Sequence, residues 1–158
     1  MRGIFSVQVE NRAGVLSKTA GLFARRGYNI DSLAVGETEN SEISNMTIVS
    51  TGDAKVIDQI EKQLNKKIDV IKVRRLKELQ SVCSELLMVK VSYSNTTRKD
   101  IMEVCMIMNA KISHVSTKSM IVELNASPEV VESFIKLLQP YGIIEMARTG
   151  VIALQKDE

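Results

Sequence analysis

The sequence holds one histidine and two cysteines, too few for the His/Cys sets that bind zinc and too few for a disulfide framework. His114 falls in a predicted strand with no second histidine to join it, and Cys105 lies on the apolar stripe of a predicted helix, the usual place of a small core residue. Aromatic residues are scarce too: with three Phe and three Tyr, no predicted strand carries two in stacking positions, which weighs against RNA recognition on a sheet face. Neither sign of charge dominates, because 21 Lys+Arg face 19 Asp+Glu for a net +2. The basic pairs Arg25-Arg26, Lys66-Lys67 and Arg74-Arg75 are dispersed among acids and read as solvated surface, so no nucleic-acid partner is expected. No apolar run approaches membrane-spanning length, and the N-terminus enters a strand without an apolar signal core. The expectation is a cytoplasmic protein with no membrane partner. Nucleophile-elbow, Gly-x-x-x-x-Gly-Lys and Gly-x-Gly-x-x-Gly motifs are absent, and the carboxylates fall on exposed helix faces or loops. Neither a catalytic residue nor a metal ligand is expected.

What is present is a repeated pattern of strands and helices. With 44% hydrophobic residues, 158 residues suffice for one or two small domains. Phe5, Val7 and Val9 alternate with Ser6 and Gln8, the period of a half-buried strand. Asn11 then offers a capping side chain and Gly14 a residue without a Cβ where a helix must begin. The helix places Leu16, Ala20 and Phe23 on one stripe with Val15 and Leu22 beside it, and Gly27 ends it behind Arg25 and Arg26. Its first turn leaves N–H groups that can meet a small anion, and Gly14 would let the anion approach; equally, Gly14 and Asn11 can serve only a tight turn and a cap. Strands follow at 29–36 and 45–50, a helix capped at Asp53 carries Val56, Ile60 and Leu64, and a strand occupies 67–76.

After a polar linker at 77–85 the order recurs. A strand at 86–91 precedes a helix with Ile101, Val104, Cys105 and Met108 at helical spacing. A hairpin turns at Thr117-Lys118, and Ser127-Pro128 opens a helix bearing Val131, Phe134, Ile135 and Leu138. A long strand is expected over 143–154. The fold class is α+β: two tandem ferredoxin-like βαββαβ units, each a four-stranded antiparallel sheet with two helices on one face. The second unit has Ser94-Asn95-Thr96-Thr97 where the first has Asn11-Arg12-Ala13-Gly14, so a ligand at a helix start is expected only in the first.

The run VENRAGVLSKTAGLFARRGYNIDSLAVGETE, followed by NMTIVSTGD and QIEKQLNKKIDVIKV, closely resembles the small regulatory subunits of acetolactate synthase (acetohydroxyacid synthase). Asn-x-x-Gly-x-Leu, Arg-Gly-Tyr-Asn-Ile and Ser-Leu-x-Val occur together at that family's spacing, and ARTGVIAL is similar to its closing strand. The resemblance implies an ACT domain over 1–76, a linker over 77–85 and a C-terminal ferredoxin-like domain over 86–158. It implies a homodimer without an active site of its own that activates a large catalytic subunit in branched-chain amino acid biosynthesis. Thiamine diphosphate, Mg and FAD would belong only to that catalytic subunit, with no cofactor in this chain. Feedback inhibition by valine, or by leucine or isoleucine, would act through an effector site of Asn11, Gly14, Val15 and Leu16 from one chain with Asn29 and Ile30 from its partner. An ACT-type amino-acid sensor for a different enzyme is the alternative, and an acylphosphatase-like enzyme a more distant one.

Overall fold

The computed structural model describes residues 1–157. Strands β1 (Arg2–Glu10), β2 (Ser32–Glu37), β3 (Ile43–Thr51) and β4 (Val70–Leu76) form an antiparallel sheet in the order β2-β3-β1-β4. Helices α1 (Val15–Arg26) and α2 (Ala54–Asn65) share a core with Phe5, Val7, Val9, Met46 and Ile48, which point to one face of that sheet. Each large apolar side chain buried there contributes about 1.5–3 kcal/mol.

The buried residues of α1 are Val15, Thr19, Leu22 and Phe23, so the core stripe is rotated from the expected Leu16–Ala20–Phe23 line. Thr19 tolerates burial because its Oγ1 donates to the Val15 carbonyl at 2.9 Å. Leu16 is left 43% exposed at the start of the helix. Gly27 closes α1 in the left-handed region at φ +67°, and the Tyr28 N–H donates to the Phe23 carbonyl at 2.9 Å. At the start of α2, Asp53 accepts from the Val56 N–H at 2.8 Å. Asp53→Ala should therefore cost about 1 kcal/mol in urea denaturation; a loss within error would show the cap to be redundant.

Strand β3 is covered on both faces. Met46 and Ile48 meet the helices, while Val49, with Ile4 and Leu76, packs under Val151 and Ala153. These last two belong to the segment around β9 (Ile152–Gln155), which is part of the first compact unit. The expected strand over 143–154 is thus two strands: β8 (Ile143–Arg148) ends before Gly150, whose φ of +80° breaks the extended run. The compact units are Met1–Cys83 with the segment from Val151 onward, and Ser84–Gly150.

The second unit contains β5 (Ser81–Ser92) from Ser84 onward, α3 (Arg98–Ile107), β6 (Lys111–Val115), β7 (Ser119–Ala126), α4 (Pro128–Leu138) and β8. The sheet order is β6-β7-β5-β8, and β9 also pairs with β5, so this sheet has five strands where four were expected. Its helical stripes fall as expected: Ile101 and Cys105 are buried on α3, and Val131, Phe134, Ile135 and Leu138 on α4. Burial pushes the Cys105 thiol pKa up. The segment over 77–85 differs from the linker expected of it. A 3-10 turn at Glu78–Gln80 leads straight into β5, which starts at Ser81. Ser81, Glu85, Leu87, Val89 and Val91 are buried at alternate positions, and the carboxylate at 85 hides that alternation from a hydrophobicity pattern.

Candidate functional site

Strand β1 hands the chain to α1 through a short loop held by backbone hydrogen bonds. The Glu10 N–H donates to the Asp69 carbonyl at 2.9 Å, and the Asn11 N–H to the Glu42 carbonyl at 2.7 Å. Gly14 follows in the left-handed region, φ +86° and ψ −11°, with no atom within 4 Å of where a Cβ would stand. Both observations favour glycine: the backbone conformation suits it, and the space above the loop stays open.

No side chain caps α1. Asn11, read from the sequence as a cap, holds the loop from outside instead. Its Nδ2 donates to Glu37 Oε1 at 3.0 Å and to the Ser41 carbonyl at 2.8 Å. Asn11 cannot reach the first turn because Gly14, three residues on, occupies the cap position itself. With both amide hydrogens engaged, its Oδ1 remains available as an acceptor. The Val15 N–H reaches the Arg12 carbonyl only at 3.4 Å, and the Lys18 N–H donates to the Gly14 carbonyl at 2.9 Å. Among the described residues, the N–H groups of Gly14, Leu16 and Ser17 have no protein acceptor. Such a helix start carries about half a positive charge and binds anions readily. Val15 itself is buried, so of the expected positions its backbone, not its side chain, faces the loop.

The corresponding place in the second unit has Thr97 where the first has Gly14. The Ser94 N–H donates to Thr97 Oγ1 at 2.9 Å, the Thr97 N–H to Ser94 Oγ at 3.3 Å, and the Arg98 N–H to the Ser94 carbonyl at 3.0 Å. The Thr97 N–H, counterpart of the Gly14 N–H, is thus taken by a hydroxyl. No side chain caps α3, and among the described residues the Lys99 and Asp100 N–H groups have no protein acceptor, as in α1.

Asn11, Gly14, Val15 and Leu16 are therefore brought together, but Asn29 and Ile30 are not among them. They follow the far end of α1, twelve residues or about 18 Å along the helix axis. The Asn29 carbonyl accepts from Ser50 Oγ at 2.6 Å, its Nδ2 donates to the Asp31 carboxylate, and Ile30 is half-buried against the core. Glu37 and Ser41, which fix Asn11, escaped the sequence reading because they lie in a run of polar residues that signals only a solvated turn.

Comparison with known proteins places the chain. A family model described as "AHAS small subunit-like ACT domain" matches residues 5–72, and one described as "Small subunit of acetolactate synthase" matches residues 84–157. The acetolactate synthase small subunit of Mycolicibacterium smegmatis is 45% identical over 151 residues, covering 96% of this chain and 89% of that one. The chain belongs to the acetolactate synthase small-subunit family. A probable acetolactate synthase small subunit of Archaeoglobus fulgidus is 47% identical over 154 residues, covering 98% of this chain and 96% of its own. The crystal structure of the acetolactate synthase small subunit from Thermotoga maritima matches with a TM-score of 0.92 at 38% identity, over 100% of this chain and 99% of that one. All six expected site positions fall inside the segment matched as an ACT domain. No helix among the described residues is long and apolar enough to cross a membrane.

Proposed function

We propose that this chain is the non-catalytic regulatory partner of a large acetolactate synthase subunit, and that it senses a branched-chain amino acid at the start of α1. The observation that carries this reading is the contrast between the two cap positions. At one the Thr97 N–H is taken by the Ser94 hydroxyl and a side chain stands over the loop; at the other Gly14 leaves open space and an unpartnered N–H group. The ligand carboxylate would lie against the Gly14 and Leu16 N–H groups, with the helix dipole behind it. The ammonium would be accepted by Asn11 Oδ1 and the Glu37 carboxylate, and exposed Leu16 would offer apolar contact.

A second copy of the chain completes the site in this reading. Strand β2 is a sheet edge with the sequence SLAVGE, carrying neither lysine nor proline, whereas the opposite edge, β4, carries Lys72, Arg74 and Arg75. Edges are commonly blunted by such charges, so β2 is the one open to pairing. Antiparallel pairing of β2 with its copy about a two-fold axis runs the strands in opposite directions. Asn29 and Ile30, just before β2, would then lie beside the partner's β2 end, where Glu37 holds Asn11. A ligand bridging two chains shifts their arrangement by its differential affinity for the two states, and thereby the activity of a docked catalytic subunit. Thiamine diphosphate, Mg and FAD would serve that subunit, not this chain.

Thermal unfolding titrated with valine, and separately with lysine, tests the ligand class. Valine at a hundredfold excess over Kd should stabilise the folded protein by about 2.7 kcal/mol. A valine shift no larger than that of lysine would overturn the reading.

A further inference from the structure

The basic pairs Arg25-Arg26 and Lys66-Lys67, far apart in sequence, meet in space. The first pair forms the last turn of α1, and the second follows the last turn of α2. All four residues line a single concavity of about 190 Å³, together with Leu22 and Gln63. Leu22 is buried, Gln63 and Lys67 are half-buried, and Arg25, Arg26 and Lys66 are exposed. No acidic residue lines the concavity, and among the described residues none of the four cations forms an ion pair.

Helix ends explain only part of this arrangement. A helix C-terminus carries about half a negative charge, so the two ends together offset about one of four positive charges. About three remain within a space far narrower than two Debye lengths, each about 8 Å at physiological ionic strength, so they repel one another. A multiply charged anion would relieve that repulsion. Two guanidinium groups suit the paired oxygens of a phosphate, while the lysines act as point charges. The volume lies below the roughly 300–1,000 Å³ of ordinary ligand pockets, which restricts the occupant to a small group or the charged end of a larger one.

We propose that the basic concavity at the C-terminal ends of α1 and α2 binds a phosphate-bearing anion of at least two negative charges, with inorganic diphosphate as its simplest form. The site is distinct from the Gly14 loop, which opens the other end of α1, and it does not depend on what that loop binds.

Calorimetric titration of the full chain with inorganic diphosphate, at constant ionic strength, is the test. Saturable binding of one diphosphate per chain is expected, weakened at least tenfold in Arg25→Gln/Arg26→Gln and in Lys66→Gln/Lys67→Gln. Lys66→Arg/Lys67→Arg, which keeps the charge, should retain binding, as should Lys62→Gln, which removes a cation of α2 outside the concavity. Circular dichroism confirms that each variant is folded. The proposal is overturned if no saturable heat appears, if the paired glutamine variants bind like the parent, or if Lys62→Gln weakens binding as much as they do. It is also overturned if a hexaglutamate peptide binds more tightly than diphosphate, because the concavity would then be a docking surface for an acidic protein segment.

Discussion

Gly14→Asp should weaken valine binding about a hundredfold or more while leaving the protein folded. The left-handed φ of +86° makes any L-residue there strained by about 1 kcal/mol, but aspartate tolerates this region better than most, and no atom lies within 4 Å of the new Cβ. The fold therefore survives. The new carboxylate stands where the ligand carboxylate is expected, and two like charges 4 Å apart repel by about 4 kcal/mol at an effective dielectric constant near 20. A tenfold change in affinity corresponds to about 1.4 kcal/mol, so about 2.8 kcal/mol, roughly 70% of that repulsion, already gives a hundredfold. Gly14→Asn supplies the control, matching the shape and backbone strain without the charge. Calorimetry should find Gly14→Asn binding valine clearly more tightly than Gly14→Asp. Equal affinities in the two variants would assign the effect to shape, and parent-like binding by Gly14→Asp would remove the loop from the site.

Arg148→Met should destabilise the second unit by about 3 kcal/mol. The Glu85 side chain is 1% exposed, and its carboxylate is held by Arg148, through Nε to Oε1 and through Nη2 to Oε2 at 3.1 Å. Arg148 Nη1 also reaches Glu132 Oε1 at 2.9 Å, and these carboxylates push the guanidinium pKa up. Removing the arginine leaves a buried carboxylate without its partner, which typically costs about 3–5 kcal/mol. The lower end applies because the Arg148 side chain is 35% exposed, so water already screens part of the interaction. Glu85→Gln/Arg148→Met should recover much of the loss, since it removes the charge that was stranded. Urea denaturation of the parent and both variants measures this directly. A loss under about 1 kcal/mol in Arg148→Met would mean that solvent reaches Glu85 once the arginine is gone.

The parts of this molecule legible in its sequence are those whose signals are local. The alternation of Phe5, Val7 and Val9, the left-handed glycines at 14 and 27, the Asp53 cap and the four-residue stripe of α4 each follow from a few neighbouring residues. The misreadings come from contacts distant in sequence. Val49 looks like a solvent-facing position of an alternating strand, yet Val151 and Ala153 return to cover that face. Glu85 looks like a linker residue because its partner, Arg148, arrives from another strand. Asn11 has the chemistry of a cap but is claimed by Glu37 and Ser41. Leu16 looked like core because Thr19, a polar residue, takes the place on the buried stripe. Of the candidate site, the four positions in one stretch of chain lie together at the start of α1, while Asn29 and Ile30 follow its far end.

The most direct test of the regulatory account is acetolactate formation by the cognate large subunit, titrated with this chain and then with valine. The account predicts a saturable rise in rate as the chain is added and a return toward the unassisted rate on adding valine, with Gly14→Asp retaining the rise and losing the return. A rate indifferent to the chain, under conditions where the two proteins bind, would contradict it.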